Sequence, residues 1–80
     1  MLNLKHLFYF REVAHGGSIA RAAERLNLTP QTISGQLSAF EDSIGVELFE
    51  RRGRSLMITE AGRLALEYAD DMFALGNELE

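Results

Sequence analysis

The sequence contains no cysteine and only one proline among its 80 residues. The missing cysteines exclude a disulfide scaffold, a thiolate metal site and a cysteine nucleophile. No apolar run approaches the roughly 20 residues that span a bilayer, and the first ten residues lack the small-residue cleavage site of a signal peptide. We therefore expect one small cytoplasmic domain with no membrane contact.

An excess of positive charge is also lacking, because the net charge is −4. The acidity is concentrated at one end. Residues 1–58 carry seven basic and six acidic side chains, whereas residues 59–80 carry one basic and six acidic side chains. Screening over about 8 Å makes local charge decisive for a surface contact, so the acidic total does not exclude a nucleic-acid partner for residues 1–58.

Apolar residues at three- and four-residue spacings predict two helices in the first third of the chain. The first runs from Leu4 to Ala14 behind the N-cap Asn3 and stops at Gly16-Gly17, and the second runs from Ile19 to Leu26 behind the cap Ser18. The apolar faces are predicted to be Leu4, Leu7, Phe8, Phe10, Val13 and Ala14 on the first helix, and Ile19, Ala22, Ala23 and Leu26 on the second.

Thr29-Pro30 is the clearest helix start in the sequence, since threonine caps a helix well and proline suits its first position. This third helix is predicted to run to about Ile44 and to end at Gly45. Its core face is predicted to consist of Ile33, Leu37, Phe40 and Ile44. Its exposed side is predicted to carry the uncharged residues Gln31, Thr32, Ser34, Gly35 and Ser38.

Residues 46–59 hold two short apolar runs around the turn Arg51-Arg52-Gly53-Arg54, which predicts a β-hairpin. Thr59 then caps a last helix, and an isolated straight helix of about 20 residues would be about 30 Å long and outrun so small a domain. Its apolar residues recur close to a heptad seam, which favours a partner helix. The seam consists of Leu64, Tyr68, Met72, Leu75 and Leu79. The predicted fold class is mainly α with a small β-hairpin.

Two helices joined by a short turn, the second exposing small hydrogen-bonding side chains, are typical of the helix-turn-helix. Such a second helix docks in the major groove of DNA with its N-terminal residues at base edges. Gln31 can bond adenine bidentately, and Ser34 can donate to or accept from several bases. An arginine-bearing hairpin beside it would form a wing that contacts phosphates or a narrow minor groove.

Other interpretations of the same residues exist. The helix pair can be packing alone, and the polar face can be ordinary solvated surface. Arg51 can point inward to support the hairpin, and Glu47 and Glu50 can pair with the arginines of the turn. A small helical module that binds a partner protein through its last helix, and not DNA, is the second functional hypothesis.

An enzyme is the hypothesis that the sequence disfavours. His6 and His15 are nine residues apart and do not share one helix face, and we expect them to be surface or capping residues. The sequence contains no paired catalytic arrangement and no glycine loop that would cradle a phosphate. No cofactor and no metal are expected.

Four stretches in order resemble the N-terminal DNA-binding domain of LysR-type transcriptional regulators. They are residues 18–26 (SIARAAERL), 29–41 (TPQTISGQLSAFE), 45–51 (GVELFER) and 56–62 (LMITEAG). Within that family, residues 29–36 and 68–73 (YADDMF) are similar to the subgroup of the sodium/proton antiporter regulator. The resemblance implies a winged helix-turn-helix over residues 1–58 and a dimerising linker helix over residues 59–80.

The resemblance also implies roles for individual residues. Base contacts fall on Pro30, Gln31, Ser34 and Gly35. Phosphate contacts at helix starts fall near Ser18, Thr29 and Thr32, and wing contacts fall on Arg52 and Arg54. The implied partners are double-stranded DNA with an inverted repeat and a second copy of the chain, joined through the last helix.

The sequence departs from the family pattern at two points. Many members carry arginine or another long side chain where this chain has Gly35, so a guanine-reading arginine is absent there. Family members also continue into an effector-binding domain, so a small-molecule effector is expected to act only on a longer parent protein.

Overall fold

The computed structural model describes residues 2–53 and 55–80. Over those residues the chain forms four helices and a two-stranded antiparallel sheet. The elements are α1 (Leu4–Gly16), α2 (Ile19–Leu26), α3 (Pro30–Ile44), β1 (Phe49–Arg52), β2 (Ser55–Ile58) and α4 (Glu60–Leu79). The predicted fold class, mainly α with a small hairpin, is confirmed.

The four helices begin at the predicted N-caps. In each of Asn3, Ser18, Thr29 and Thr59 a side-chain oxygen accepts a hydrogen bond from a backbone N–H two or three residues later. Such bonds satisfy amide donors that a helix leaves free at its start. At its other end, α1 continues two residues beyond the predicted Ala14, because the left-handed residue that ends it is Gly17.

The core lies where α1 crosses α3 and the hairpin. Phe10 is its centre, with ring centroids 6.0 Å from Phe40 and 5.4 Å from Phe49. The buried apolar residues are Leu7, Phe10, Val13, Ala22, Ala23, Ile33, Leu37, Phe40, Leu48 and Ala69. Ala22 and Ala23 are both buried, and residues this small let α2 approach its neighbours closely.

Two predicted core residues are instead exposed. Leu4 is 57% exposed and Ile44 is 40% exposed, because each lies in the terminal turn of its helix, beyond the layer that covers the middle. The expectation that His6 is a surface residue is also wrong. Its ring is half-buried and lies 6.0 Å from that of Phe40.

The predicted hairpin is present, and it pairs Phe49 with Ile58 and Arg52 with Ser55. Arg51 and Arg52 were predicted to lie in its turn, but they are the last two residues of β1 and pair with β2. It is fastened to α3 by Glu41, whose Oε2 accepts hydrogen bonds from the amides of Leu48 at 2.7 Å and Phe49 at 3.3 Å. The start of the wing is therefore held directly to the third helix.

α4 packs on the body through only one of its faces. Gly62 lies so close to Leu48 that a Cβ there would overlap the Leu48 carbonyl oxygen, and Ala69 and Phe73 pack beside α1. The predicted seam lies on another face and is exposed at all five positions, Leu64, Tyr68, Met72, Leu75 and Leu79. Within the described ranges, none of the helices is both long and apolar enough to cross a lipid bilayer.

Candidate nucleic-acid interface

The first turn of α3 presents polar side chains outward from a fixed helix. Ile33 and Leu37 are buried and hold the helix against the core. Gln31 is exposed and Ser34 is half-buried at the edge of the same face. The amide and the hydroxyl can each donate and accept a hydrogen bond, which reading the edge of a base requires.

Thr29 and Thr32 form a closed cap at the start of this helix. The Thr29 Oγ1 accepts the backbone N–H of Thr32 at 3.2 Å and lies 2.9 Å from the Thr32 Oγ1. One of the two hydroxyls donates its proton in this bond, so only the other has a proton free to donate to an oxygen of the DNA backbone.

Three of the four residues predicted to contact bases lie around one open cleft. Pro30, Gln31 and Ser34 line it from α3, Ile19 and Ala20 from α2, and Arg51 from the hairpin. The cleft has a volume of about 380 Å³. Three elements that are separate in the sequence thus meet at the exposed start of α3.

Arg51 belongs to the predicted arginine wing of residues 51–54, although the family resemblance placed the individual wing contacts on Arg52 and Arg54 only. The alternative that it points inward to support the hairpin gives the direction of the side chain, which nevertheless is exposed. It follows Phe49 by two residues on one strand, so the two side chains share a face of the hairpin. Phe49 lies over the core, and Arg51 reaches past the core edge toward Gln31 and Ser34. The two-residue spacing of Phe49 and Arg51 is therefore the feature of the sequence that indicates the direction of the Arg51 side chain.

The cap of α2 lies on the other side of the same arginine. Ser18 and Arg51 line a second open cleft of about 520 Å³, together with residues of β2. The Ser18 Oγ accepts the Arg21 N–H at 3.0 Å. The positive end of a helix and a guanidinium face each other there, an arrangement that suits a phosphate group.

Arg52 and Gly35 line neither of these two clefts. Arg52 is exposed and its Nε lies 3.6 Å from Glu50 Oε1, so the predicted pairing of Glu50 with the turn is found. Gly35 is exposed, and a Cβ added there would meet no atom within 4 Å. Arg54 was also predicted as a wing contact, and it lies outside the described residues.

The charge of the surface follows from this placement. α3 contains no lysine or arginine, and its two acidic residues, Glu41 and Asp42, lie in its last turn. Arg51 of the hairpin and the positive end of α3 itself place positive charge near the exposed start of that helix. In the part of the chain that the structure describes, no three histidine or acidic side chains group as metal ligands.

A family model describing bacterial regulatory helix-turn-helix proteins of the lysR family matches residues 4–63. The transcriptional activator protein NhaR of Escherichia coli (strain K12) is 49% identical over 78 residues, which is 98% of this chain and 26% of NhaR. The RuBisCO operon transcriptional regulator of Allochromatium vinosum is 43% identical over 68 residues, 85% of this chain and 22% of that protein. The chain thus spans about a quarter of the length of these curated relatives.

Two solved structures with bound DNA are similar in fold. The BenM DNA-binding domain with catB site 1 DNA superposes with a TM-score of 0.91 at 28% identity, over 96% of this chain and 86% of that one. The CbnR DNA-binding domain in its DNA complex gives a TM-score of 0.87 at 37% identity, over 95% and 87% of the two chains.

Proposed function

The chain belongs to the LysR family of bacterial regulatory helix-turn-helix proteins, and from this membership we propose that it binds double-stranded DNA at a specific sequence. Residues 1–58 are the winged helix-turn-helix, and residues 59–80 are the helix that joins two copies. The observation that carries the proposal is the cleft in which Gln31 and Ser34 of α3 face Arg51 of the hairpin.

In this proposal α3 enters the major groove with its first turn toward the bases. Pro30, Gln31, Ser34 and Gly35 contact base edges, and Gln31 contributes the largest share of the selectivity because its amide can bond adenine bidentately. The capped helix starts at Ser18, Thr29 and Thr32 bind phosphates. Arg51, Arg52 and Arg54 contact the backbone or the narrow minor groove.

The exposed seam of α4 pairs with the same seam of a second copy. Its five side chains are large and apolar, and an uncovered stripe of that kind is typical of an interface. A two-fold dimer places its recognition helices on an inverted repeat, because the symmetry of the site mirrors that of the protein. In the cell this is a cytoplasmic transcription regulator, and response to a small-molecule effector belongs to a longer protein that contains this domain.

Selection of duplexes from a random pool, followed by gel shifts on the selected inverted repeat and on a random duplex at fixed salt, tests the proposal. We expect tight binding to the selected site only. Equal binding to both duplexes, or to neither, would contradict it. Failure on both duplexes combined with a dimer in solution would instead support the protein-interaction module.

Gln31→Ala tests base reading directly. We expect it to weaken binding to the selected site by about 1–3 kcal/mol and to relax the sequence preference at one base pair. Gln36→Ala is the matched control, since Gln36 is the same residue type on the same helix, turned about 140° away. An equal loss on selected and random duplexes for Gln31→Ala would refute base contact at that residue.

Arg51→Ala tests the assignment of the hairpin arginine to the backbone. We expect binding to fall about evenly across sequences, and the slope of log affinity against log salt to flatten by about one. Arg54→Ala is expected to act in the same way. An unchanged salt slope for Arg51→Ala would show that this guanidinium makes no phosphate contact.

A further inference from the structure

One carboxylate on α4 accepts hydrogen bonds from two side chains of α1. The Asp70 Oδ1 lies 2.7 Å from Arg11 Nε and 2.7 Å from His15 Nε2. The Arg11 guanidinium also lies 5.6 Å from the ring centroid of Phe73, one turn further along α4. We call Arg11, His15 and Asp70 the α1–α4 joint.

α4 is fixed to the body at two places, and this joint lies at the second of them, beside the apolar contacts of Ala69 and Phe73. The first is at its start, where Thr59 donates its hydroxyl to the Glu47 carbonyl at 2.7 Å and Gly62 packs against Leu48. Asp70 lies eight residues beyond Gly62, which is about 12 Å along the helix. A single anchor would leave the helix free to pivot, so the direction of α4 depends on the second one.

On α4, the polar contacts of this second anchor are made by Asp70. In residues 2–53 and 55–80, both side-chain hydrogen bonds between α1 and α4 use its carboxylate. Beyond Phe73 the side chains of α4 are exposed, so no later contact within the subunit corrects an error in its angle. The seam continues to Leu79 on this unsupported part of the helix.

We propose that Asp70 is a positioning residue, which through Arg11 and His15 sets the angle between the winged helix-turn-helix and α4. This inference rests on the proposed function, in which α4 joins two copies on DNA. The angle then fixes the distance and the rotation between the two recognition helices. One added base pair moves a half-site by about 3.4 Å and about 35°, so the joint determines which half-site spacing the dimer accepts.

The neighbouring Asp71 provides a matched control. It carries the same charge on the same helix and is exposed, and within the described ranges it takes part in no ion pair. Asp71→Ala therefore changes the net charge and the helix composition as Asp70→Ala does, without removing the joint.

The test measures binding to duplexes in which two inverted copies of the selected half-site are separated by spacers that differ by one base pair. For the wild-type protein and Asp71→Ala we expect one spacer to bind about tenfold or more tightly than its neighbours, because linked binding is lost when the geometry forbids both contacts. For Asp70→Ala we expect the preference to fall to about twofold, with unchanged affinity for a duplex carrying one half-site.

An Asp70→Ala profile identical to that of the wild type overturns the proposal. A loss of the same factor on the single half-site overturns it as well, because the residue would then support folding of the reading surface. A wild-type protein that prefers no sequence refutes the proposed function, and that result is separate from the comparison of variants.

A measurement without DNA examines the joint independently. Because the chain has no cysteine, Ala39→Cys and Asn77→Cys introduce one spin label on α3 and one near the end of α4. In labelled protein diluted with unlabelled protein, we expect a narrow distance distribution for the wild type and Asp71→Ala. A broader distribution is expected for Asp70→Ala, and equal widths for all three overturn the proposal.

Discussion

Gly35 lies within α3 and Gly45 caps the end of that helix, and the two glycines have different backbone conformations. Gly35 lies within the helix, is exposed and has open space around it. Gly45 ends the helix with φ of 75°, the left-handed region that side chains disfavour. The same alanine substitution therefore has opposite effects at the two residues.

We predict that Gly35→Ala raises the free energy of unfolding by about 0.5–1 kcal/mol, because glycine within a helix costs conformational entropy. Gly45→Ala is predicted to lower it by about 1 kcal/mol, since alanine is strained at positive φ. Urea unfolding of both variants beside the wild type measures the two changes. A decrease for Gly35→Ala would contradict the open environment of that residue.

Asp70 makes the stability of the domain depend on pH. The hydrogen bond from His15 is the main cause that lowers the pKa of this carboxyl below its ordinary value; burial, the next largest effect, opposes it, and the hydrogen bond from Arg11 lowers the pKa further. A carboxyl whose pKa is lower in the folded state stabilises the fold above its unfolded pKa, and the stabilisation is lost as the pH falls through the folded pKa.

We therefore predict that Asp70→Asn lowers the melting temperature at pH 6, and that the difference from the wild type shrinks as the pH falls below about 4. Thermal unfolding followed by circular dichroism between pH 2.5 and pH 7 measures this difference, with Asp71→Asn as the control. A difference that stays constant across this range would show that the carboxylate charge does not stabilise the fold.

At the scale of elements, the wing and the recognition helix form one unit because a side chain of α3 binds the backbone that leads into β1. Glu41 accepts the amides of Leu48 and Phe49, and the Thr59 amide donates to the Leu48 carbonyl at 3.0 Å. Residue 48 thus connects α3, the hairpin and the start of α4. The position of the Arg51 side chain over α3 depends on this connection.

We predict that Glu41→Ala lowers the free energy of unfolding by about 1–3 kcal/mol, because it leaves a part-buried amide without its charged acceptor. Amide hydrogen exchange at Leu48 and Phe49 should accelerate more than exchange within α1. Asp42 is the neighbouring exposed carboxylate. Asp42→Ala should change the free energy of unfolding by less than about 0.5 kcal/mol and leave amide exchange at Leu48 and Phe49 as in the wild type. Equal effects of the two variants would exclude the backbone contact as the cause.

Much of this element structure was predictable from the sequence because its signals are local. A cap such as Thr29 acts on an amide three residues away, and the alternation of Ile33 and Leu37 with polar residues repeats within one helix. The terminal residues Leu4 and Ile44 fit the same periodicity but are exposed, since periodicity does not tell where a neighbouring layer stops. Only the structure therefore shows at which residue the buried face of a helix ends.

The site was predictable to the same extent. The outward direction of Gln31 follows from helix period, whereas the approach of Arg51 to it depends on how the hairpin packs on α3. The contact of Arg11 and His15 with Asp70 joins residues 59 and 55 positions apart. No sequence spacing indicates such a contact, because it depends on the crossing angle of two helices.

At the scale of the whole molecule, α4 has one face committed to the body and another that lies open. Ala69, on the face toward the body, is fully buried, whereas Leu75, on the open face, is 65% exposed. Asn77 lies on the opposite side of the helix from the seam and is exposed. A charge at residue 75 or at residue 77 is therefore expected to have different effects on assembly.

We predict that Leu75→Glu weakens dimerisation about 100-fold or more, since each copy loses an apolar contact worth about 1.5–3 kcal/mol. Asn77→Glu adds the same charge outside the seam and should leave the dimer intact. Sedimentation velocity over a dilution series measures both dissociation constants. Similar values for Leu75→Glu and the wild type would show that the seam is not the interface.

The open space around Gly35 also bears on how such a domain changes over generations. Because a Cβ added at residue 35 would meet no atom within 4 Å, the side chain of a larger residue can begin there after a single codon change, with no compensating mutation in the core. If residue 35 contacts a base, as we propose, a duplicated copy of the gene can change its target sequence through this residue while it keeps the fold.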